Sequence, residues 1–550
     1  MLDDFDFTKI QDLDAARKRI KVLLNLVEEL KGESDKLRGE IQRLRDEINR
    51  MKGEQGKPKI KPNKKKDPKD WSSNKERHKA KKHKKKSKRD RINTDRTEEL
   101  DVDQKLLPPD AEFKGYEEVV VQDIKIQTNN ILFRKKKYYS PSEGKTYIAT
   151  LPRGYDGEFG PALKAWVTTL YFGCNMSEPK ILEFLSEAGT IISSGQLSNL
   201  LIKKQDRFHA EKDAVYEAGL GSSPWQEIDD TGMRVNGRNQ YCQILCNPLY
   251  TAYFTTKNKT KRTVLDVLRN FREPTFLLNA ATFAYFERIR LAQRLVVTLR
   301  TFPQDRVMSK EEFLGLLGER LPPLGPHQLA RILEGTGVAA YHAETQFPIV
   351  QLLLCDDAKQ FKNLTEELAL CWVHDGRNYK KLSPAIKYHQ ELIDSFLKRY
   401  WAFYRRLLDY KATPTVQFRT TLEQQFDELF STQTGYYALD VRINATQDNK
   451  KCLLKVLEHP EILLHNNPAE LGARQRVRKR DVSFGTRTKD GTKAWDTFMT
   501  LAATTKKLGI SFFKYIYDRI SGAYQLPSLA EVITQQAQGL CLGASWNQGP

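Results

Sequence analysis

The N-terminal residues carry the most regular pattern of apolar positions in the chain. Two series repeat every seven residues: Ile20, Val27, Ser34, Ile41 and Ile48 form one, and Leu23, Leu30, Leu37, Leu44 and Met51 form the other. Apolar residues spaced three and four apart, with charged residues between them, are typical of a coiled coil. An amphipathic helix packed on its own globule produces the same pattern. Because a polar linker follows, we predict a coiled-coil helix over residues 14–52 that joins two or more copies.

Residues 53–100 show no apolar period and are rich in lysine. From Lys57 to Arg91 the chain holds 18 Lys and Arg residues against four Asp and Glu residues, so most of the net charge of +20 lies here. A like-charged block with few apolar residues cannot collapse, and we predict a disordered linker. Such a block would bind a polyanion through counterion release without reading its sequence. A solubilising tether is a compatible role.

The next segment has a strand-like pattern. Three runs rich in β-branched and aromatic residues are EEVVVQDIKI, NNILFRKKKYYS and KTYIATLP. They predict a small β module with basic edges over residues 101–155.

Two amphipathic helices are predicted within residues 160–210. Ser177 caps the first, Gly189 ends it, and Ser193 or Ser194 caps the second. Helix, short turn, helix is typical of a helix-turn-helix domain, although an ordinary helical hairpin has the same pattern. In the DNA-binding interpretation, the side chains that face the groove are Gln196, Ser198, Asn199 and Lys203.

Strands and helices alternate over residues 222–480. The runs WQEIDDTGMRVNG, QYCQILCN and YTAYFTT predict a meander of three strands, the first of which ends in Asp229 and Asp230. A helix follows, and a later apolar strand, PIVQLLLCDD, ends in Asp356 and Asp357. Two insertions and the closing region are predicted to be helical: residues 272–347, 362–458 and 490–550. The chain is therefore expected to be a multidomain α+β and α/β protein.

Three acids, Asp229, Asp356 and Glu470, follow in order along this core. The element order of a ribonuclease H-like fold is three strands, a helix, another strand and a terminal helix that carries an acid, and the predicted order here is the same. Carboxylates from neighbouring strand ends suit Mg²⁺, which prefers oxygen ligands. Two such ions about 4 Å apart catalyse in-line phosphoryl transfer in many enzymes. Each acid alone is weak support, because aspartate at a strand end commonly starts a turn.

A basic run follows Glu470 in the stretch NNPAELGARQRVRKR. Its cationic residues are Arg474, Arg476, Arg478, Lys479 and Arg480. One interpretation is a helix start with an ordinary salt bridge from Glu470 to Arg474, four residues on. The other is that Glu470 holds a metal ion while the cations contact the phosphate backbone of a bound strand.

Composition limits the class of protein. With 550 residues, 39% of them hydrophobic, the chain can form two to four domains. A net charge of +20 favours nucleic acid or an anionic membrane as a partner. No apolar run reaches 18 residues and no signal peptide is recognisable, so the sequence disfavours a membrane-spanning or secreted protein. Seven scattered cysteines fit reduced thiols in a cytosol, and their spacing indicates no zinc site.

Four ordered motifs resemble the insertion-sequence sixty-six family of bacterial DDE transposases. IDDTGMRV is similar to the family's first catalytic strand, and LLCDDAKQF is similar to the second motif, with Phe361 as its aromatic residue. CWVHDGRNYKKL resembles the segment just downstream, with Trp372 matching. HNNPAELGAR resembles the closing motif, in which two asparagines precede the catalytic Glu. The likeness covers most of the chain, including an N-terminal zipper, a β module and a helix-turn-helix.

The resemblance implies a site and its supporting residues. It selects Asp229, Asp356 and Glu470 as catalytic ligands of two Mg²⁺ or Mn²⁺ ions. The residues implied as alternates or supports are Asp230, Asp357, His374, Arg377, Asn466 and Asn467. His374 would orient a carboxylate or contact the scissile phosphate; a satisfied structural histidine fits equally well. Many family members carry a cysteine zinc site before the helix-turn-helix, but residues 100–150 hold no cysteine, so no zinc is expected.

The function expected from this resemblance is DNA transposition. The protein would bind terminal inverted repeats, pair two ends through its coiled coil, cut a strand and join it to target DNA in the bacterial cytoplasm, at the nucleoid. The need for accessory transposition proteins is left open. Two rivals remain: a catalytically inactive, transposase-derived DNA-binding or assembly protein, and a structure-specific nuclease with the same metals.

Overall fold

The computed structural model describes residues 12–51, 92–103, 108, 111–124 and 126–546. Most of the predicted linker lies outside these ranges, and its described residues, 92–100, form neither helix nor strand. The protein is a mostly helical α/β protein built around one mixed five-stranded sheet.

Helix α1, Leu13–Met51, confirms the long N-terminal helix that the heptads predict. It contacts its own chain through polar side chains: Asn25 Nδ2 donates to the Gly435 carbonyl at 2.9 Å, and Glu28 accepts from the Ile386 N–H at 3.2 Å. Most seam residues stay exposed: Ile20, Val27, Leu30, Leu37, Ile41, Leu44, Ile48 and Met51. One face of the helix thus contacts its own chain, and association of copies through the exposed seam stays a prediction.

The predicted β module is largely wrong. Two short antiparallel strands form, β1 (Lys137–Ser140) and β2 (Lys145–Ile148). The described residues of EEVVVQDIKI form no strand, and its apolar side chains such as Val119 and Val121 are exposed. A β-prone sequence needs a partner strand and a face to bury. This segment has neither within the described residues.

Four helices precede the sheet. They are α2 (Pro161–Thr168, continued by a π-helical turn at Thr169–Gly173), α3 (Glu178–Glu187), α4 (Ser194–Ile202) and α5 (Asp206–Gly221). Ser193 caps α4 as predicted, in a reciprocal capping box with Gln196. Ser177 stands at the start of α3, but its side chain makes no capping hydrogen bond. The two-helix element at α3 and α4 therefore exists where the sequence places it.

The sheet begins with the predicted meander of β3 (Trp225–Val235), β4 (Arg238–Cys246) and β5 (Thr251–Thr256). Helix α6 (Lys261–Leu268) follows it. The predicted helical insertion comes next, as β6 (Phe276–Leu277), α7 (Ala280–Arg288), α8 (Gln293–Leu299), β7 (Val307–Met308), α9 (Lys310–Arg320) and α10 (Pro326–His342). It buries a separate apolar cluster around Phe286 and Phe313, so it packs largely on itself.

Two parallel strands complete the sheet. Strand β8 (Leu352–Cys355) pairs with β3, and β9 (Glu367–Leu370) pairs with β8. The order across the sheet is β5-β4-β3-β8-β9, with antiparallel pairing among the first three strands. Strand β9 corrects the expectation of a purely helical segment over 362–458. A four-residue strand without flanking turn signals is too short to separate from a helix by its period.

The remaining chain is helical. The helices are α11 (Trp372–Lys380), α12 (Lys387–Ala412), α13 (Val416–Phe430), α14 (Tyr437–Asp448), α15 (Lys450–Leu453), α16 (Asn467–Ser483), α17 (Lys489–Lys507), α18 (Phe512–Ser521) and α19 (Leu529–Leu540). They confirm a helical region within 490–550, of which residues 547–550 lie outside the described ranges. Among the described residues, no helix is both long and apolar enough to cross a membrane.

Helix α17 covers the edge of the sheet at β5. Every second backbone N–H of that strand donates to a side chain on α17: Thr251 to Thr504 Oγ1 at 3.3 Å, Tyr253 to Thr500 Oγ1 at 3.1 Å, and Thr255 to Asp496 at 2.7 Å. Acceptors four residues apart on a helix rise about 6 Å, close to the repeat of alternate strand residues. The polar side chains of α17 thus satisfy an edge that would otherwise pair with another strand.

Candidate functional site

The sheet brings Asp229 and Asp356 side by side. Glu227 of β3 pairs in parallel register with Leu354 of β8. Asp229 and Asp356 each lie two residues beyond that pair, so they occupy equivalent positions on neighbouring strands. Side chains two residues apart point to the same face of a sheet. The two carboxylates therefore share one face of the sheet, beside the point where β8 ends.

Asn466 fixes Glu470 beside them. The Asn466 side chain donates to the Ile228 carbonyl at 2.7 Å, and its backbone N–H donates to Cys371 Sγ at 3.2 Å. Helix α16 begins at the next residue, and Glu470 lies in its first turn. Asn466 is fully buried, so this anchor holds the helix start directly against the strand that carries Asp229. Asn467 is the first helical residue, and its N–H faces His465 Nδ1 at 3.4 Å.

Helix α16 lies close to the sheet because residue 472 is glycine. A Cβ there would come within 2.9 Å of Ile244 Cγ2 on β4. We expect Gly472→Ala to lower the free energy of unfolding by about 1–3 kcal/mol, measured by urea titration, because the helix would be forced away from the strand. Gly315→Ala in α9 is the control, since nothing lies within 4 Å of its Cβ. That change should be neutral or stabilising; equal losses for both would contradict the close approach.

The acids form one electrostatic cluster. The pKa of Asp229 is raised to about 7, mainly by burial; a hydrogen bond from the Asp230 N–H lowers it, and the negative charges of Asp356, Asp230 and Glu470 raise it. Like charges this close disfavour one another's ionised forms. The arrangement is therefore costly unless a cation is present.

The neighbouring acids are held differently. Asp230 accepts from Lys259 Nζ at 3.0 Å and from Gln360 Nε2 at 2.7 Å, and Asp357 pairs with Lys362 at 2.5 Å. Asp229 and Asp356 instead accept hydrogen bonds from backbone N–H groups, those of Asp230 at 2.8 Å and Ala358 at 3.1 Å. Basic partners thus neutralise Asp230 and Asp357, and the geometry favours Asp229 and Asp356 as the open ligands.

Glu470 pairs with Arg377 of α11. Arg377 Nη1 lies 3.2 Å from Glu470 Oε1, and Nη2 lies 3.4 Å from Oε2. His374 Nε2 lies 3.6 Å from the same Oε1, and burial lowers the pKa of its imidazole. Glu470 therefore pairs with Arg377 on another helix, and not with Arg474 four residues on in its own helix, as one interpretation of the sequence predicted. A cleft of about 330 Å³ opens beside it, lined by Asp356, Cys371 and His374 among others.

The basic run on α16 is only partly available to a ligand. Arg476 and Lys479 are fully buried: Arg476 donates to Asp496 Oδ1 at 2.8 Å, and Lys479 donates to the Tyr171 carbonyl at 2.6 Å. The expectation that these two contact DNA is wrong, because positions three and four apart on α16 face the protein interior. Arg480 is partly exposed and donates to the Gly232 carbonyl, whereas Arg474 and Arg478 are exposed.

Lys479 predicts a pH dependence of stability. Burial lowers its pKa to about 7, from an ordinary value of 10.5. Between those values the unfolded chain binds more protons than the folded chain, so the free energy of unfolding should rise as pH rises from 7 to 10.5. Denaturant titrations at several pH values would measure this slope, and Lys479→Met should flatten it. An unchanged slope in that variant would assign the pH dependence to other groups.

The predicted groove-facing side chains mostly contact their own chain. Gln196 donates to Glu158 at 2.8 Å, Ser198 bonds Glu178, and Lys203 pairs with Asp490 at 3.0 Å. Asn199 is exposed on α4. DNA reading by this helix stays a prediction.

The sequence reasoning missed Cys371. Its Sγ accepts from the N–H groups of His374 and Asn466, and it lies with His374 and Glu470 in one group whose ligand atoms are all within 4.8 Å of one another. Burial raises the pKa of its thiol to about 12. The C-x-x-H spacing of CWVH was the available signal.

A second group of potential ligands is Glu367, Glu458 and His459. Lys455 Nζ lies 2.7 Å from Glu367 and 2.6 Å from Glu458, so an ammonium already balances these charges. This group is a structural ion-pair network.

Comparison with known proteins shows the family of this chain through one of its relatives. The chain is 33% identical over 306 residues to a protein of Sinorhizobium fredii (strain NBRC 101917 / NGR234) described as "Uncharacterized protein y4jO". The match spans 56% of this chain and 94% of that protein, and the chain belongs to the same family. No protein-family model matches the sequence.

Proposed function

We propose that this protein is a DDE-type DNA transposase that binds the ends of its own element, cuts a strand and joins it to target DNA. One observation carries the proposal. Asp229 and Asp356 occupy equivalent positions on neighbouring parallel strands, and Asn466 anchors Glu470 beside them. The motifs that resemble the insertion-sequence sixty-six transposases contain these same three acids.

The sheet supports a ribonuclease H-like core. Three antiparallel strands, β5, β4 and β3, are extended by two parallel strands on the far side of β3. The acids lie on the central strand, directly after its parallel neighbour, and on a helix packed across the sheet. Convergence of carboxylates from separated parts of a chain is what a two-metal phosphoryl-transfer site requires.

The donor set fits a hard divalent cation. Asp229, Asp356 and Glu470 offer carboxylate oxygens, and their mutual repulsion in the buried cluster would be relieved by positive charge. These three residues would hold Mg²⁺ or Mn²⁺. When bound, two such ions would activate the attacking hydroxyl and stabilise the leaving oxygen of the phosphodiester.

Other residues of the chain position this cluster. Asn466 sets the start of α16, and Arg377 balances the charge of Glu470. The exposed Arg474 and Arg478 lie one and two turns beyond Glu470, where they would contact phosphates of the bound strand. Phosphate contacts position DNA without reading bases, so recognition of terminal repeats is assigned to the α3–α4 element.

The exposed seam of α1 supports assembly of two or more copies, which would pair the two element ends. The basic block between Lys57 and Arg91 would add nonspecific DNA affinity. This activity belongs in the bacterial cytoplasm, where the element's DNA lies. Accessory transposition proteins are compatible with the proposal.

The first test is incubation of the full chain with labelled DNA from the flanks of its own gene, with Mg²⁺, with Mn²⁺ and with EDTA. Metal-dependent cleavage at a fixed end, followed by joining to a target, is the expected result. Binding without any product would favour a catalytically inactive, transposase-derived DNA-binding protein. Cleavage without joining would favour a structure-specific nuclease.

A further inference from the structure

Three side chains with different donor atoms meet on one side of the candidate site. Cys371 is the N-cap of α11, His374 lies in the first turn of that helix, and Glu470 lies in the first turn of α16. A sulfur, an imidazole nitrogen and a carboxylate oxygen from them all lie within 4.8 Å of one another. Cys371 and His374 also line the cleft that opens beside Asp356. The group is therefore reachable by a small ion.

Backbone donors already surround the sulfur of Cys371. Sγ accepts from the His374 N–H at 3.4 Å and from the Asn466 N–H at 3.2 Å. Each donor belongs to the start of a helix, where N–H groups carry partial positive charge. These two donors hold the sulfur in place on the side of the helix starts, next to His374 and Glu470.

His374 presents a polar atom that the described protein does not satisfy. Its Nδ1 is buried without a hydrogen-bond partner among the described residues, while Nε2 faces Glu470 Oε1 at 3.6 Å. A buried polar atom without a partner is uncommon and calls for an explanation, such as an unseen ion. This observation is independent of the spacing of the three donors.

We propose that Cys371, His374 and Glu470 form a binding site for a zinc-class divalent cation. Thiolate and imidazole donors select Zn²⁺ over Mg²⁺, and three protein ligands leave a fourth position open. On binding, the Cys371 thiol releases its proton to solvent, and Glu470 exchanges Arg377 for the metal. A further consequence rests on the proposed function: zinc would remove Glu470 from the Mg²⁺ site and inhibit strand cleavage.

Arg377 acts as the resident competitor in this arrangement. Its Nη1 lies 3.2 Å from Glu470 Oε1, so the guanidinium holds the carboxylate that a metal would take over. Removing that charge should strengthen metal binding. If the three residues had only a structural role, removing the Arg377 charge would not make metal binding tighter.

The test uses Cd²⁺ alone as a probe on the full-length protein, because a cadmium–thiolate bond gives an ultraviolet charge-transfer band. We expect Cd²⁺ to bind at one site that gives this band. Zn²⁺ should displace the bound Cd²⁺, and Ca²⁺ should not. Loss of an outer-shell partner weakens metal sites by about 10- to 100-fold, so Cys371→Ser or His374→Ala should weaken binding by at least about 100-fold. Arg377→Gln should tighten it. Cys174→Ser, at an exposed cysteine outside the group, is the matched control.

Circular dichroism of each variant separates loss of binding from loss of folding, and the tighter binding of Arg377→Gln is a gain that misfolding does not produce. Wild-type affinity in Cys371→Ser and His374→Ala, or no binding by the wild type, would overturn the site. A second experiment measures zinc inhibition of DNA cleavage. The zinc concentration that halves cleavage should be higher for Cys371→Ser than for the wild type. A protein that binds Cd²⁺ through these residues but shows no DNA activity would refute only the proposed function.

Discussion

Asp229→Asn, Asp356→Asn and Glu470→Gln are each expected to reduce metal-dependent strand cleavage and joining by about 10³-fold or more, because groups that act as one catalytic unit fail together. Each amide keeps the size of the side chain and removes the charge that would hold the cation. DNA binding through α4 and the basic linker should persist. A gel assay of nicked and joined products, with binding measured in parallel, checks the expectation.

The adjacent acids provide matched controls for this series. Asp230→Asn and Asp357→Asn change the same residue type one position away, at carboxylates that pair with Lys259 and Lys362. These variants should retain most of the activity. If Asp230→Asn abolished cleavage and Asp229→Asn did not, the assignment of Asp229 as the catalytic acid of β3 would be wrong.

The same cluster predicts an opposite effect on stability. Without metal, Asp229, Asp356 and Glu470 repel one another within a partly buried site, and the pKa of Asp229 is raised to about 7 mainly by burial. Asp229→Asn and Asp356→Asn should therefore unfold at an equal or higher temperature than the wild type, whereas Glu470→Gln also loses its ion pair with Arg377. Loss of activity together with retained or increased stability is the behaviour of a site kept for function at the expense of stability.

The sequence alone predicted which acids form the site and in which order they follow along the chain. Paired acids after two apolar runs predicted two strand ends. The prediction holds for Asp356, which directly follows β8, but is wrong for Asp229, because β3 continues to Val235 through its pairing with β4. Helix α1 and the α3–α4 pair also follow from their apolar periods and capping residues. These features are local, so a pattern over a few residues is enough to predict them.

Features that depend on distant contacts were not predictable in this way. Strand β9 is recognisable only through its pairing with β8, and the run EEVVVQDIKI has strand propensity without a partner among the described residues. Cys371 joins Glu470 only because Asn466 holds the start of α16 against both β3 and α11. No spacing along the chain reveals that contact.

The basic run after Glu470 shows most plainly how packing overrides composition. Five cations in a short stretch suggest a uniform phosphate-binding surface, yet α16 lies along the sheet and turns Arg476 and Lys479 inward. Gly472 was a signal of the buried side, since a glycine within a helix often marks a close approach. The acid that receives Arg476 is Asp496 on the next helix, which charge counting along the run does not identify.

Arg476→Ala is expected to lower the free energy of unfolding by about 3–5 kcal/mol, the usual loss when one partner of a buried ion pair is removed. Arg476 is fully buried and donates to Asp496 Oδ1 at 2.8 Å and to Thr255 Oγ1 at 2.6 Å, so its removal leaves a carboxylate without its cation beside the edge strand β5. Urea titration measures the loss. The double variant Arg476→Ala with Asp496→Ala should lose less than the sum of the two single changes.

Arg474→Ala tests the opposite case on the same helix, because this side chain is exposed. Its unfolding free energy should change by less than about 0.5 kcal/mol, as at most surface positions. If Arg474 contacts a phosphate, the slope of log affinity for DNA against log salt should fall by about 1. Arg476→Ala, compared where it remains folded, should leave that slope unchanged. Reversed results for the two arginines would place the buried face of α16 against DNA, which the contact of Arg476 with Asp496 opposes.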